Sequence, residues 1–326
     1  MTKDISTELN KDFLKDPDSG FYPIHRAAKY GKGTLSELKR LINKGADLEV
    51  RTPWERTPLI MACIDWETRK VKLLLEAGAN INASDHEGDT PLHAAIYGSN
   101  SLTQLLVDNG ADIEARNLDG LTPLGHACEI GKQGAIEILC EAGANVNDEY
   151  STKSLLFRAL EGKHNTPPTS LYKIFKTLKD YGADVEFIQA STGNSILHLT
   201  AELTQIDYSA WGVRFTPICR TLINSGLNPW LKNINGESPI QIMDKWAPGD
   251  LKPALKKYIK NNIKNIIPEI ETEKELTCFY ENQSEYSRSE LFDLLTSGTE
   301  AKNKFDEIIK PEVYENTSHN KLVNKI

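Results

Sequence analysis

Seven histidines and five cysteines are the side chains of this chain best suited to metal binding, proton transfer or nucleophilic attack. Cys63, Cys128, Cys140, Cys219 and Cys278 lie far apart, are odd in number and form no CxxC pair, so they read as reduced thiols of a cytosolic compartment. Three of them sit in apolar helical runs, where a free cysteine behaves as a small hydrophobe. His25, His86, His93, His126, His164, His198 and His319 are equally scattered. No HExxH, GxSxG, P-loop glycine pattern or dinucleotide-binding fingerprint is present. The sequence therefore predicts no catalytic centre, no metal and no cofactor. A composite active site remains open as an alternative, built on the C-terminal tail around Cys278 and Tyr280 with the rest of the chain presenting substrate.

The elements that would position any site must come from 326 residues, of which 39% are apolar and 26% charged, a balance that belongs to a folded protein. The net charge of -8 repels phosphate backbones and anionic lipid, so no nucleic-acid partner is expected. The stripe Lys252, Lys256, Lys260 and Lys264 is the sole ground for the opposite reading. No long apolar run exists, and MTKDISTELNKDF places acids where a signal peptide needs a basic start, so neither a membrane span nor Sec export is expected.

Self-comparison organises the chain. RTPLIMAC, DTPLHAAI and LTPLGHAC begin at Arg56, Asp89 and Leu121, a period that signals stacked units. Each is followed by an amphipathic run and a glycine step: Gly78-Ala79-Asn80, Gly110-Ala111-Asp112, Gly143-Ala144-Asn145. An earlier copy starts at Tyr22-Pro23-Ile24-His25, and stretched copies start at Ser154, Ser195 and Ser238, making six full units and a terminal partial one. In Thr90-Pro91-Leu92 the Thr-Pro pair suits a helix start, since the hydroxyl accepts from free N–H groups and proline lacks an N–H that would go unpaired anyway. Small residues follow, as at Ala27-Ala28, Ala62-Cys63, Ala94-Ala95 and Ala127-Cys128, and let first helices of successive units approach closely. A second helix carries apolar positions at helical spacing, such as Val71 and Leu74 or Leu102 and Leu106, and ends at a glycine suited to a left-handed cap.

A turn, TPLH, two helices and GAD/GAN followed by an apolar-plus-Asn/Glu step resemble the ankyrin repeat, over roughly Phe21 to Lys260. The resemblance implies an all-α solenoid of helix-turn-helix units with projecting β-hairpins; apart from it, the short amphipathic runs at 289–295 and 304–309 predict a C-terminal helical appendage. The resemblance also implies that His25, His93 and His198, in the TPLH slot, make a structural hydrogen bond between turn and helix; His126, one place on beside Gly125, is expected to replace part of that bond. Ile60 and Gly125 depart from the slot, and Glu55 stands where a turn glycine belongs. The organisation that follows is a lead-in at 1–19, a repeat domain at 20–261 with insertions near 163–170 and 204–216, and an acidic helical tail at 262–326.

Stacked units present a long concave surface of hairpin tips and first-helix residues that the scaffold leaves free to vary. On the family register the candidate protein-binding residues are Arg51, Trp54, Arg56, His86, Glu87, Asp89, Arg116, Leu118, Leu121 and Tyr150 on the hairpins, Asp65, Trp66, Tyr97, Glu129 and Ile130 on the first helices, and Trp211 in the second insertion. Trp54, Trp66 and Tyr97 resemble interface anchors. The expected function is a monomeric, cytoplasmic, non-enzymatic adaptor holding another protein. The irregular later repeats and tail are similar to ankyrin-repeat proteins of intracellular bacteria that are delivered into host cells, and an inhibitor of a toxin would carry the same features.

Overall fold

A computed structural model describes residues 15–29, 34–148, 154–161, 168–205 and 216–243. The tail from 244 onward, Tyr150 and Trp211, the Lys252–Lys264 stripe, Cys278 and Tyr280 lie outside the described residues, as does most of both insertions. The chain divides into two compact units, 1–166 with 173–184, and 167–172 with 185–326.

In the first unit, helices come in pairs: α1 (Pro23–Ala28) with α2 (Leu35–Asn43), α3 (Pro58–Ile64) with α4 (Thr68–Glu76), α5 (Pro91–Ala95) with α6 (Asn100–Asp108), and α7 (Pro123–Ile130) with α8 (Gln133–Glu141), followed by α9 (Leu155–Glu161) and α10 (Pro168–Asp180), whose C-terminal part belongs to this unit. First helices pack on first helices, α1 on α3 on α5 on α7 on α9, and second helices on second helices, α2 on α4 on α6 on α8. The small residues make this possible: Ala28, Ala62, Cys63, Ala95, Ala127 and Cys128 are wholly buried between helices. The larger apolar side chains of each pair, Leu59 with Val71 and Leu74, Leu92 with Leu102 and Leu106, Leu124 with Ile136 and Leu139, fill the space beside them. The second unit holds α11 (Ile196–Gln205), α12 (Thr216–Asn224) and α13 (Pro239–Met243), with α11 packed on both others around Leu197, Ala201, Cys219 and Leu222.

The Asn/Glu step after each GAD/GAN has a mechanical reason. The side chain two places past the step accepts the main-chain N–H at the next repeat's step: Glu49 from Asn80 (2.8 Å), Asn82 from Asp112 (2.9 Å), Glu114 from Asn145 (2.8 Å) and Asn147 from Asp184 (2.7 Å). The ladder ties each step to the next and persists across the first insertion, where Asn147 still reaches Asp184 although 37 residues separate them instead of 30 or 31.

The projecting hairpins are turns more than paired strands. Four fingers are closed by a main-chain bond between positions four apart, Thr52 to Arg56, Asp85 to Asp89, Asn117 to Leu121 and Asn233 to Glu237, and a fifth by Gln189 to Asn194, five apart. Among the described residues the sole bridge is Ile188 with Ser195. In the first four named, the side chain opening the turn supplies the second support: Thr52, Asp85, Asn117 and Asn233 all accept the N–H four residues on.

Candidate protein-interaction surface

The slot histidines are wholly buried and consumed by the scaffold. Nδ1 of His25, His93 and His198 accepts the N–H of Tyr22 (3.1 Å), Thr90 (3.3 Å) and Ser195 (3.1 Å) at the helix start. That leaves the proton on Nε2, which donates to the carbonyl of Val50 (2.9 Å), Leu121 (3.0 Å) or Glu237 (3.1 Å) in the following finger. Where the slot lacks histidine, as at Ile60 and Gly125, the threonine hydroxyl caps the helix itself, accepting from Ile60 N (3.3 Å) and Gly125 N (3.1 Å). His126 does not substitute for the missing slot residue. Its Nε2 lies 2.9 Å from the Tyr97 hydroxyl, with the two rings edge to face at 5.1 Å, so it serves the first-helix face instead.

Burial lowers the pKa of His25, His93, His126 and His198 below the ordinary histidine value of 6.5. The unfolded chain thus takes up protons that the folded chain resists, and stability is complete above about pH 6.5 and declines as pH falls below it. The midpoint of thermal unfolding is expected to hold steady from about pH 8 to 7 and drop toward pH 5, with a shallower decline in His93→Gln. Differential scanning calorimetry across that range checks this; a midpoint rising as pH drops from 7 to 5 contradicts it.

Large apolar side chains stand in solvent along the fingers and first helices of the first unit: Trp54 is 49% exposed, Trp66 57%, Tyr97 48% and Leu118 80%. Trp54 meets Phe21 edge-on at 6.1 Å, and its carbonyl accepts from the His86 main chain, so the finger is anchored while half of the indole stays free. Leu118 N–H bonds likewise to Glu87 O, holding successive fingertips in a row. Trp66 adopts φ +59°, a left-handed conformation costly for a bulky residue, and its ring lies over Gly98, where a Cβ would come within 2.7 Å of the indole. Glu55 is strained in the same sense at φ +57°.

The other expected residues divide by what they touch. Arg51 donates to the carbonyls of Glu55 and Ser84 in the next finger. Arg56 pairs with buried Asp85 at 3.1 Å, and Arg116 donates both to Gly120 O and, through two nitrogens, to Asp148. All three arginines are therefore straps between fingers. Leu121 is buried, and its carbonyl rather than its side chain is in use, so it presents nothing outward. His86 and Glu87 are exposed at a fingertip; Asp89 is half-buried and accepts from Asn117 at 2.9 Å. Asp65, Glu129 and Ile130 are half-buried at the ends of their helices. Sequence reasoning missed two residues of this face, Gly98 beneath Trp66 and Arg158, which reaches Glu129 at 3.6 Å. A shared register was the available signal: Tyr97 and Glu129 hold equal offsets from Thr90 and Thr122, and each meets a first-helix residue of the following unit.

Two arrangements bear on other chemistry. Asp85, His86 and Glu87 bring three ligand-type atoms within 4.8 Å of one another, but the Asp85 carboxylate is already occupied by Arg56 and the N–H groups of Glu87 and Asp89. Cys63, Cys128, Cys140 and Cys219 are buried free thiols, and burial pushes Cys140 and Cys219 up to about 11, so they stay protonated and unreactive. Among the described residues, no helix is long and apolar enough to cross a membrane.

Paired helices, bridging histidines and strapped fingers define a repeat scaffold of the kind that presents a surface to other proteins. A family model described as ankyrin repeats in three copies matches residues 24–117 and 94–187, and the chain belongs to the ankyrin-repeat family. It is similar to the human B-cell lymphoma 3 protein, 32% identical over 253 residues covering 74% of this chain and 51% of that one, and to the mouse homolog at 31% over 251 residues, 74% and 52%. The chain spans about half the length of these curated relatives. Among solved structures, the ankyrin repeat domain of Bcl-3, a member of the IkappaB protein family, aligns with TM-score 0.56 and 31% identity over 69% of this chain and 95% of that one. The human ASB11 ankyrin repeat domain aligns with TM-score 0.55 and 25% identity over 72% and 96%.

Proposed function

We propose that this chain is a non-enzymatic adaptor whose repeat domain at 20–261 holds another protein against the fingers and first helices, with Trp54, Trp66, Tyr97 and Leu118 as anchors. The observation that carries this reading is the exposure of Trp66 in a backbone conformation that disfavours it. Packing on Gly98 uses only part of the indole and more than half of Trp66 stays exposed, so a strained aromatic here serves contact as well as packing. Trp54 and Trp66 flank α3 and Tyr97 follows α5 in the next unit, a run that suits one extended partner crossing the face. The tail at 262–326 is an appendage to this domain.

Affinity capture with the intact chain, compared with a Trp54→Ala/Trp66→Ala/Tyr97→Ala variant, tests this. All three side chains are about half exposed, so the variant is expected to keep its helical circular dichroism while losing the captured protein. Capture undiminished by the triple change overturns the reading.

A further inference from the structure

The charge balance of this face points to the chemistry of what it receives. Its arginines are committed inward: Arg56 is neutralised by Asp85, Arg116 by Asp148, and Arg51 is held by two carbonyls. Arg158 offsets Glu129, whereas Lys132, bonded to the neutral Tyr97 carbonyl at 3.1 Å, keeps the one uncompensated positive charge beside this ring among the described residues. Against these stand Asp89, whose bond is to the neutral Asn117 side chain, exposed Asp119, and Glu87, whose distance to Arg56 is 4.0 Å. Negative charge is therefore in surplus beside the half-exposed Tyr97 ring. The Tyr97 hydroxyl feels it: after burial, Asp89, Glu129 and Glu87 push its pKa upward. Trp66 lies across Gly98, next to Tyr97 in the chain, and so adds a second aromatic surface at the same end of these helices.

We infer that the strip carrying Trp66, Tyr97, Asp89 and Glu87 receives a lysine- or arginine-bearing extended segment of the partner protein, its cation over the aromatic faces and its charge answered by the carboxylates. Aromatic faces attract cations through their quadrupole, and the attraction adds to that of nearby carboxylates. Packed first helices stand roughly 8–10 Å apart, so an extended chain advances about three residues from one unit to the next. A short segment with basic residues at that interval spans the strip. This inference rests on the face being the docking surface.

The test is fluorescence anisotropy with the full chain and labelled Gly/Ser peptides of about nine residues, carrying at every third position lysine, arginine, glutamine or glutamate. The lysine and arginine peptides are expected to bind about ten-fold more tightly than the glutamine peptide, with affinity falling as salt is raised. Glu87→Gln/Asp89→Asn is expected to remove that preference while leaving the thermal midpoint nearly unchanged. Equal affinity for the glutamine peptide, or preference for glutamate, overturns the inference. So does a gain of peptide affinity when Lys252, Lys256, Lys260 and Lys264 are changed to glutamine, because the occupant is then this chain's own segment. If a captured partner is lost in the aromatic triple variant yet is not displaced by the cationic peptides, the basic segment is wrong and the docking face stands. Capture indifferent to the aromatic change removes the face itself.

Discussion

His93→Ala is expected to lower the unfolding free energy by about 3 kcal/mol, measured by equilibrium denaturation in urea followed by far-ultraviolet circular dichroism. Three losses combine. The Leu121 carbonyl loses its donor at 3.0 Å, the Thr90 N–H and hydroxyl lose their shared acceptor, and the wholly buried ring leaves a cavity between α5 and the next finger. Each unpaired buried polar group costs about 1–3 kcal/mol, more than the bond itself contributes, and alanine fills little of the vacated volume. The bond also spans 28 residues, from one repeat to the next, so its loss weakens a junction as well as a helix. In a linear array, stability is a sum of units and nearest-neighbour interfaces, and a weakened junction is expected to broaden the transition. His86→Ala, at an exposed fingertip, is the control and is expected to shift stability by no more than about 0.5 kcal/mol. Equal effects of the two substitutions refute the bridging role.

The scaffold was legible because its demands are local and repeated. Thr90-Pro91-Leu92-His93 predicts a capped helix start, and the structure adds only that His93 also reaches Leu121 in the next turn. Paired small residues predict close helices, and Ala95 and Cys128 are wholly buried where first helices meet. The surface was less legible, since a side chain's availability depends on groups one repeat away. Arg51, Arg56 and Arg116 have the composition of contact residues, yet each finds an acceptor in the following finger. Leu121 sits in a hairpin and is still buried, its side chain lying beside Gly125 on α7, the helix that the finger leads into. His126 looked like a displaced slot residue, but the Tyr97 hydroxyl on the preceding helix captures it. Periodicity describes what every repeat shares, whereas a recognition face consists of what each repeat does differently.

Trp66 separates those two demands most sharply. It occupies the same offset from Thr57 that Gly131 occupies from Thr122, and both residues are left-handed, at φ +59° and +70°. Glycine takes that conformation freely, whereas a residue with a Cβ is penalised by roughly 1–2 kcal/mol. Comparing Trp66→Gly with wild type mixes strain relief with loss of the indole packed on Gly98, two terms of opposite sign. Trp66→Gly against Trp66→Ala isolates the strain, because both lack the ring. The glycine variant is expected to be the more stable by about 1 kcal/mol, the reverse of the usual order for these residues. Both are expected to bind the captured partner at least about ten-fold more weakly, since a half-exposed tryptophan at the middle of an interface is worth about 2 kcal/mol or more. Calorimetry and titration of the two variants side by side read both quantities. If alanine proves the more stable, the backbone at Trp66 is not strained; if the partner binds both variants as it binds wild type, the tryptophan is not an anchor. A stable glycine variant that no longer binds means that this repeat gives up conformational ease to hold an aromatic ring in solvent, and a partner surface that buries the ring supplies the return.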